Sequence, residues 1–329
     1  MGKAKRAHPD PSLVGTLRFA HPTTFAKPES TLAPTDLTAP QSTLAPAKIN
    51  LTLRIFGRRA DGFHELESLV AFAPFGDRLT LWPGERVDLK VSGPMAAGAG
   101  PLADNLVLRA ARALAERIEG LGLGRFVLFK RLPSGAGLGG GSADAAAALR
   151  LIAKANGLRP DDQRIIEAAR ATGADIPVCL DPRPRVMRGI GERLSAPMVL
   201  PKLGILIVHP GLALPTGPVF KALGLAPGEQ CAKAASPSPS GDAANRDALL
   251  AWLASERNDL ERAAISIAPQ IADVLSAIAG LAGCRLARMS GSGSACFGLF
   301  DSALAAAVAA KSLAAARPSW WVRAGLLGN

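Results

Sequence analysis

A glycine-dense segment that runs directly into an alanine-rich helix constrains the fold of this 329-residue chain more than any other feature. Residues 133–143 are Pro-Ser-Gly-Ala-Gly-Leu-Gly-Gly-Gly-Ser-Ala, and further alanines follow. Glycine adopts positive φ readily and lets a ligand approach the backbone, because no Cβ intervenes. The first turn of the following helix offers unpaired N–H groups and the positive end of the helix dipole. The sequence therefore predicts an anion-binding cradle, most often one for phosphate.

Two common phosphate-binding motifs do not fit this segment. Residues 135–140 match G-x-G-x-x-G, but a dinucleotide-binding fold needs a second strand with an acidic residue about 20 residues later. Residues 158–162 are Leu-Arg-Pro-Asp-Asp, which predicts a turn and a helix start instead. A Walker-type loop requires Gly-Lys-Ser/Thr, and no lysine lies in the segment or directly after it. A purely structural turn is disfavoured, because so many glycines carry a large entropic penalty.

The composition narrows the class of ligand. A formal net charge of +11 suits an acidic partner, and phosphorylated metabolites qualify as well as nucleic acids do. Aromatic residues make up only 5%, tyrosine is absent and the basic residues are not clustered, so nucleic-acid binding is disfavoured. No apolar run approaches the ~18 residues of a membrane span. The absence of such a run predicts that the protein has no membrane partner. The four cysteines form no Cys-x-x-Cys pair, which predicts reduced thiols in a cytoplasmic protein.

Changes in composition divide the chain into three predicted parts. Residues 1–44 are rich in Pro, Thr and Ala without a sustained period, which predicts a flexible N-terminal extension. An organellar transit peptide is the alternative, because basic residues outnumber acidic ones there. Residues 45–198 form the first predicted domain and residues 199–329 the second. Within the second, residues 227–245 are rich in Pro, Ser and Ala and predict an exposed loop or a flexible insertion.

Hydrophobic periodicity predicts both strands and helices. Strands are expected at 48–56, 66–72, 77–82 and 125–130, and helices at 105–119 and from about Ser142 to Asn156. Gly157 and Pro160 then form a typical C-terminal helix signal. Strands and helices mix without a strict βαβ alternation, so the sequence predicts an α+β fold with two lobes.

The glycine segment resembles the ATP loop of the GHMP superfamily of small-molecule kinases. Its residues are Pro133, Ser134, Gly135, Ala136, Gly137, Leu138, Gly139, Gly140, Gly141, Ser142 and Ala143. Further blocks follow the family's order and resemble the branch that phosphorylates 4-diphosphocytidyl-2-C-methyl-D-erythritol. These blocks lie at 45–51, 61–66, 173–179, 210–220, 258–261 and 289–293.

The resemblance implies a fold, two cofactors and a substrate class. The fold would be α+β and two-lobed, with an N-terminal mixed α/β nucleotide lobe and a C-terminal ferredoxin-like lobe. ATP would bind on residues 133–143, and Mg²⁺ would lie near Ser142. The acceptor would be a small molecule with a cytidine diphosphate group, phosphorylated on its 2-hydroxyl in the non-mevalonate route to isoprenoid precursors. A monomer or a weak homodimer is expected.

The resemblance also implies two catalytic residues. Asp175 would accept the proton of the attacking hydroxyl, and Lys48 would keep that carboxylate ionised and stabilise charge on the transferred phosphoryl group. Phosphoryl transfer relies mainly on positioning and charge neutralisation. From the residues alone, Asp175 could instead cap a turn and Ser142 could be a simple helix N-cap. The apolar neighbours of Lys48 favour a buried lysine over an exposed one.

Four residues are implied to bind the acceptor. In the family, a histidine recognises the cytosine edge while two aromatic rings stack on the base. In this sequence the histidine is His64 and the rings are Phe63 and Phe220; Thr216 lies in the same substrate block. Phe63 replaces a more common tyrosine, which keeps the stacking face and loses a hydroxyl. The glycine-rich turn at 289–294 would support substrate or phosphates, or it is only a tight connection.

Two alternative functions remain at this point. Another kinase of the superfamily, acting on homoserine or mevalonate, would share the glycine loop. Those substrates carry no base for Phe63, His64 and Phe220 to hold, which opposes this alternative. A non-catalytic ligand-binding regulator could share the fold, but the presence of both Lys48 and Asp175 opposes it.

Overall fold

The computed structural model of the protein describes residues 1–2, 39–84, 86–231 and 245–328. Most of the predicted N-terminal extension and most of the predicted insertion therefore lie outside the described residues, and both stay predictions. The described residues contain eleven strands in two sheets, one on each side of residue 198. The predicted domain boundary at 198/199 falls between these sheets and also stays a prediction.

The N-terminal sheet is mixed and is organised around one long strand. Its strands are β1 (Gln41–Asn50), β2 (Arg54–Arg58), β3 (His64–Gly84), β4 (Asp88–Ser92), β5 (Leu123–Phe129), β6 (Arg185–Gly189) and β7 (Arg193–Leu194). β3 pairs antiparallel with β1 and β2 along one edge and with β5 and β6 along the other. β4 pairs in parallel with β5, and β7 pairs with β6. The 21 residues of β3 thus connect all the other strands of this sheet.

β1 begins earlier than the sequence predicts. It starts at Gln41, so residues 41–44 belong to the sheet and not to the N-terminal extension. The register against β3 shifts between Pro46 and Lys48, because proline has no N–H to donate to the ladder. After the shift, the Lys48 N–H donates to the carbonyl of Leu138 at 2.9 Å. This irregularity joins the strand directly to the glycine segment.

Three predicted strands have different limits in the structure. The predicted strand at 48–56 is two strands, because β1 ends at Asn50 and β2 begins at Arg54. The predicted strands at 66–72 and 77–82 are one continuous strand, β3. Periodicity finds extended segments correctly here, but it does not show where a strand changes its pairing partner.

Four helices follow or interrupt the strands of the N-terminal half. They are α1 (Leu106–Ala115), α2 (Gly140–Ala155), α3 (Gln163–Thr172) and α4 (Ile176–Leu180). α2 packs against β1 and β3 through a buried face in which alanine predominates, so helix and sheet approach closely. α2 begins at Gly140, two residues before the expected start, and Gly157 beyond its end has φ +64°. The predicted helix and its C-terminal stop are confirmed.

The C-terminal sheet has the ferredoxin-like order. Its strands are β8 (Leu203–His209), β9 (Leu286–Met289), β10 (Cys296–Phe300) and β11 (Trp321–Leu327), and its helices are α5 (Thr216–Lys221), α6 (Arg246–Ser255), α7 (Glu261–Ile267), α8 (Gln270–Ala279) and α9 (Ala303–Ala316). The spatial order is β11-β8-β10-β9, and every pair is antiparallel. In chain order this is the 4-1-3-2 arrangement with helices after the first and third strands. The two-lobed α+β prediction is confirmed.

Buried side chains connect the two sheets beneath the glycine segment. Ile49 of β1 and Leu138 of the segment belong to the same apolar cluster as Ile205 of β8 and Phe297 of β10. This shared core fixes the glycine segment against both halves of the chain. Among the described residues, no helix has both the length and the apolar character that crossing a bilayer requires. All four cysteines are free thiols.

Candidate active site

A cleft of about 740 Å³ brings the predicted site residues together. The predicted residues that line it are Lys48, Phe63, His64, Pro133, Ser134, Gly135, Ala136, Gly137, Leu138, Gly139, Gly140, Gly141, Ser142, Asp175, Thr216 and Phe220. Ala143 is the exception, because its side chain is fully buried in the packed face of α2. Residues that are far apart in sequence therefore share one solvent-accessible space.

The glycine segment forms its wall of the cleft with backbone. Gly135, Gly137 and Gly139 have φ of +63°, +72° and +63°, which side-chain-bearing residues rarely adopt. Gly139 is the N-cap of α2, and no side chain caps the helix there. The first N–H groups of α2 therefore face the cleft without a side-chain partner, and the helix dipole favours an anion at this place. This backbone geometry is the one expected of an anion cradle, and the binding of phosphate there stays a prediction.

The second glycine-rich turn, residues 289–294, packs directly on the first. The Ala295 N–H donates to the carbonyl of Ala136 at 3.0 Å, and the Ser290 hydroxyl donates to the carbonyl of Gly137 at 3.1 Å. A Cβ added to Gly137 would lie 2.3 Å from the carbonyl oxygen of Ser290. The turn thus braces the cradle from the C-terminal half, which is more than a tight connection.

Ser142 does not cap α2. Gly139 occupies the N-cap position, and Ser142 lies in the first turn of the helix. Its half-buried side chain lines the cleft beside the uncapped N–H groups. The simple N-cap interpretation of Ser142 is therefore wrong, and the residue faces the cleft from the first turn of α2.

Lys48 and Asp175 form an ion pair inside the cleft. The Lys48 Nζ lies 3.1 Å from Oδ2 of Asp175. Lys48 is only 3% exposed, whereas the Asp175 side chain is 40% exposed and stays accessible from the cleft. Asp175 stands at the N-cap position of α4, yet its side chain makes no capping hydrogen bond. Its carboxylate can therefore contact Lys48 and a ligand at the same time.

Asn50 is hydrogen-bonded to the lysine of this ion pair, and the sequence analysis did not identify it as a site residue. Its Oδ1 accepts a hydrogen bond from Lys48 Nζ at 3.1 Å, and its Nδ2 donates to the Ser68 hydroxyl at 2.7 Å. The Asn50 N–H also donates to the Ser290 hydroxyl at 3.1 Å. The available signal was the spacing, since residues two apart on a strand share one face. Asn50 thus orients the lysine and links it to both glycine-rich turns.

A buried cluster of three charges lies beneath the cradle. Lys130 donates to Oδ2 of Asp77 at 2.5 Å and to Oδ2 of Asp144 at 2.8 Å, and all three side chains are buried. Asp77 also accepts the N–H groups of Arg131 at 2.5 Å and Leu132 at 2.8 Å. The cluster therefore ties the entry of the glycine segment to the first turns of α2.

Burial shifts the titration of this cluster. Burial raises the pKa of Asp144 to about 7, and Lys130 opposes that rise. Burial alone would lower the pKa of Lys130, but the two carboxylates outweigh it and raise the pKa. A Walker-type loop would have a lysine within or directly after the glycine segment, and this chain has none there. The structure instead supplies one three residues before it, from the end of β5.

Aromatic rings from both halves of the chain meet at the other end of the cleft. His64, the first residue of β3, and Phe220 of α5 have ring centroids 4.8 Å apart with planes inclined by 43°. Phe63 is 55% exposed at the cleft margin. The ring in contact with Phe220 is thus His64, and the stacking of a base between Phe63 and Phe220 stays a prediction. Thr216 lies nearby, with its hydroxyl 3.0 Å from that of Ser292.

His64 carries a buried hydrogen-bonding atom without a partner. Its Nε2 is inaccessible and makes no hydrogen bond. Burial lowers the pKa of His64, and the nearby positive charge of Arg58 lowers it further. The imidazole is therefore mainly neutral at pH 7, with one donor and one acceptor nitrogen. Such a group is suited to recognising the polar edge of a ligand.

The donor set beside the cradle suits a magnesium ion that a nucleotide carries. Within the described ranges, no group of three or more His, Cys, Asp or Glu side chains could hold a metal ion alone. Magnesium bound to a nucleotide needs only one or two protein oxygens, because phosphates and water supply the rest. The Ser142 hydroxyl lines the cleft, and Oδ1 of the buried Asp144 has no hydrogen-bond partner. These oxygens fit the requirement.

Comparisons with known proteins match both halves of the chain. The family described as GHMP kinases N terminal domain matches residues 105–181, and GHMP kinases C terminal matches residues 235–316. A homoserine kinase structure from Cytophaga hutchinsonii is similar with a TM-score of 0.61, covering 87% of this chain and 94% of its own. Its identity is 19%, so it supports the fold alone.

Closer relatives narrow the family. The 4-diphosphocytidyl-2-C-methyl-D-erythritol kinase of Xanthobacter autotrophicus is 57% identical over 85% of this chain and 97% of its own. That of Methylorubrum extorquens strain PA1 is 56% identical over 84% and 95%. A crystal structure of 4-(cytidine 5'-diphospho)-2C-methyl-D-erythritol kinase has a TM-score of 0.69 at 35% identity, covering 88% of this chain and all of its own. Similarity of this extent, over most of the chain, shows that the chain belongs to the 4-diphosphocytidyl-2-C-methyl-D-erythritol kinase family of GHMP kinases.

Proposed function

We propose that the protein transfers the γ-phosphoryl group of ATP to the 2-hydroxyl of 4-diphosphocytidyl-2-C-methyl-D-erythritol, a step toward isoprenoid precursors. The observation that carries this proposal is the position of the Lys48–Asp175 pair. Its atoms lie 3.1 Å apart in a cleft that has a backbone anion cradle at one end and the His64 and Phe220 rings at the other. An acceptor bound by its base would extend its polyol toward the pair.

ATP would place its phosphates on residues 133–143. The glycine backbone permits close approach, and the uncapped N–H groups at the start of α2 donate to phosphate oxygens. Ser142 and Asp144 would hold magnesium, which supplies charge neutralisation on the phosphates when it is bound. The bracing turn at 289–294 keeps these donors fixed. A fixed cradle supplies the positioning on which phosphoryl transfer depends.

Asp175 and Lys48 would act on the acceptor hydroxyl. The Asp175 carboxylate is accessible from the cleft and would take the hydroxyl proton as the oxygen attacks phosphorus. The ammonium of Lys48, 3.1 Å from this carboxylate, would neutralise charge that develops on the transferred group. Asn50 holds the Lys48 ammonium in place from the other side.

The base site would select the acceptor. The neutral imidazole of His64 lines the cleft with one donor and one acceptor nitrogen, and the cytosine edge carries complementary groups. Phe220 and the exposed ring of Phe63 supply apolar faces for stacking. Homoserine and mevalonate carry no such group, so a kinase for either would leave this end of the cleft without a function.

Release of ADP from ATP tests the proposal. The full chain with magnesium is assayed with the cytidyl substrate, with homoserine and with mevalonate. We expect turnover with the cytidyl substrate only. Turnover with homoserine or mevalonate at a comparable rate would overturn the assignment. Absence of turnover with all three, in a protein that binds both ATP and the cytidyl substrate, would favour a non-catalytic regulator.

A matched pair of variants tests the catalytic role. Asp175→Asn should lower kcat by a factor of about 10²–10⁴, because the base is lost, with ATP binding retained. The control is Asp181→Asn. Its side chain is 42% exposed, similar to that of Asp175, and pairs with Arg183 and Arg185 outside the cleft. The control should stay within about twofold of the wild-type protein. Near-normal turnover of Asp175→Asn would remove the proposed base.

Two further expectations accompany the proposed function. We infer a cytoplasmic protein, from the free thiols and from the absence of an apolar span in the sequence. We also infer a monomer or a weak homodimer with small-molecule partners only. Light scattering of the purified chain at micromolar concentration measures the assembly, and a stable higher oligomer would contradict the inference.

A further inference from the structure

We propose that Arg58 is a positioning residue that holds the two walls of the base site together and so sets the affinity for the cytidyl group. This inference rests on the proposed function. One wall is the turn that carries Phe63 and His64, and the other contains Phe220. The walls are about 160 residues apart in sequence, so the fold must hold them at the spacing of a base.

The Arg58 side chain bridges these walls. Its Nε donates to the carbonyl of Gly62 at 3.2 Å, and its Nη1 donates to the carbonyl of Leu225 at 3.2 Å. Gly62 directly precedes Phe63, and Leu225 lies five residues after Phe220. One planar guanidinium thus fixes the backbone of both walls at once, which a flexible ammonium cannot do with the same geometry.

The backbone of Arg58 strengthens the same connection. Its N–H donates to the carbonyl of Glu229 at 2.8 Å, and its carbonyl accepts from the N–H of Gly228 at 2.8 Å. The preceding Gly57 permits this contact, because a Cβ there would lie 2.4 Å from the carbonyl oxygen of Glu229. Residues 228–230 therefore continue along the edge of β2, and the side chain of Arg58 completes a joint that the backbone begins.

Arg58 acts through other residues and not by contact with the ligand. It does not line the cleft, whereas Gly62, Phe63, His64 and Phe220 do. In the β2–β3 register Arg58 lies opposite His64. Loss of the bridge would let the two walls move independently, so a ligand would have to order them on binding and would bind more weakly.

The test compares Arg58→Gln with Arg59→Gln in the full chain. Arg59 is the neighbouring arginine of the same turn, but its side chain pairs with Asp61 at 2.8 Å and does not reach the second wall. Steady-state kinetics give KM for each substrate and kcat, and calorimetry with cytidine diphosphate alone measures binding without turnover. Melting temperatures report whether each variant stays folded.

We expect Arg58→Gln to raise KM for the cytidyl substrate and Kd for cytidine diphosphate by about tenfold, the equivalent of ~1.4 kcal/mol. KM for ATP and kcat should change by less than about twofold, as should every constant of Arg59→Gln. Arg58→Lys keeps the charge but not the fork, so an intermediate loss is expected. Arg58→Lys also serves as the test variant if Arg58→Gln does not fold.

Several results would overturn the proposal. Equal effects of the Arg58 and Arg59 substitutions would show that the bridge has no particular role. An equal rise of KM for ATP would show general damage and not positioning of the base site. If the wild-type chain binds cytidine diphosphate but does not turn over the cytidyl substrate, the proposed function fails. The binding comparison then still decides the role of Arg58.

Discussion

The cleft has two ends that are built by opposite means. At the cradle end, backbone groups of the glycine segment face the ligand space, and the second glycine-rich turn and the Lys130 cluster fix them from behind. At the base end, side chains face the ligand space. His64 and Phe220 meet across two distant chain segments, Phe63 is half exposed, and a single guanidinium joins the walls.

The cradle end would bind the phosphates that every kinase of this fold uses, whereas the base end would bind one particular acceptor. A backbone cradle recognises phosphate by geometry and charge, which any kinase of this fold requires. Solved structures of a homoserine kinase and a mevalonate kinase share the fold at 19% and 14% identity. Side chains at the base end are the means by which one acceptor can be distinguished from another. Substitutions at the two ends should therefore affect different substrates.

Lys130→Met should have the largest effect, and it acts on the cradle end. The substitution leaves Asp77 and Asp144 buried without their cation, which costs about 3–5 kcal/mol. Urea unfolding followed by circular dichroism measures the free energy of unfolding. Lys90→Met, at an exposed position of β4, is the control and should change it little. Equal midpoints for the two variants would contradict a structural role of the cluster.

Gly137→Ala should disable the cradle while leaving the base end intact. A side chain at φ +72° is strained, and its Cβ would lie 2.3 Å from the carbonyl oxygen of Ser290. Misplacement of the cradle should lower kcat/KM for ATP on the order of 100-fold, with binding of cytidine diphosphate nearly unchanged. Gly120→Ala is the matched control, with φ +71° and no atom within 4 Å of the added Cβ. A similar loss in both variants would point to backbone strain alone.

Phe220→Ala should show the opposite pattern. Loss of a stacking face should raise KM for the cytidyl substrate by about 5- to 100-fold, the range expected for one aromatic–base contact. KM for ATP should change far less, because the cradle lies at the other end of the cleft. Phe129→Ala removes an exposed ring outside the cleft and serves as the control. A parallel rise of both KM values would refute the division between the two ends.

The pH dependence of substrate binding should give the smallest effect. The pKa of His64 is lower than the usual imidazole pKa of about 6.5, so the ring stays neutral to a lower pH than a free imidazole does. Below that pH it gains a proton and loses its acceptor nitrogen, so KM for the cytidyl substrate should rise by up to about tenfold per pH unit. KM for ATP should not follow. His64→Gln should abolish the transition, and its persistence in that variant would assign it to another group.

The glycine segment and the helix after it could be predicted from the sequence, whereas the residues that support the segment could not. Glycine spacing and the helix that follows are local properties, so residues 133–143 could be identified directly. The partners of Lys130 come from β3 and α2, and no motif spacing connects them. Asn50 was within a recognised block and lies two residues from Lys48 on one strand, but its hydrogen bond to Ser68 depends on the register of β1 against β3.

The limits of the strands likewise depend partly on local sequence signals and partly on contacts between distant segments. Residues 66–72 and 77–82 carry local strand signals, but their union in β3 depends on close approach of β1. At Gly76 a Cβ would lie 1.9 Å from the carbonyl oxygen of Ala45, so only glycine fits where the strands meet. Likewise, residues 41–43 are polar and pair through their backbone, and the single Leu44 after them gives no hydrophobic pattern to detect.

The sequence by itself determined the α+β class, the glycine segment before its helix and the family, because glycine conformation, helix signals and ordered blocks are properties of the chain read in order. Only the tertiary structure decided what supports and completes the glycine segment. It placed Lys130 beneath it, joined Lys48 to Asp175 in front of it and brought His64 against Phe220 at the far end of the cleft. The physical reason is that charge pairing, burial and ring contact depend on distances in space. Those distances are set by strand register and by packing between the lobes.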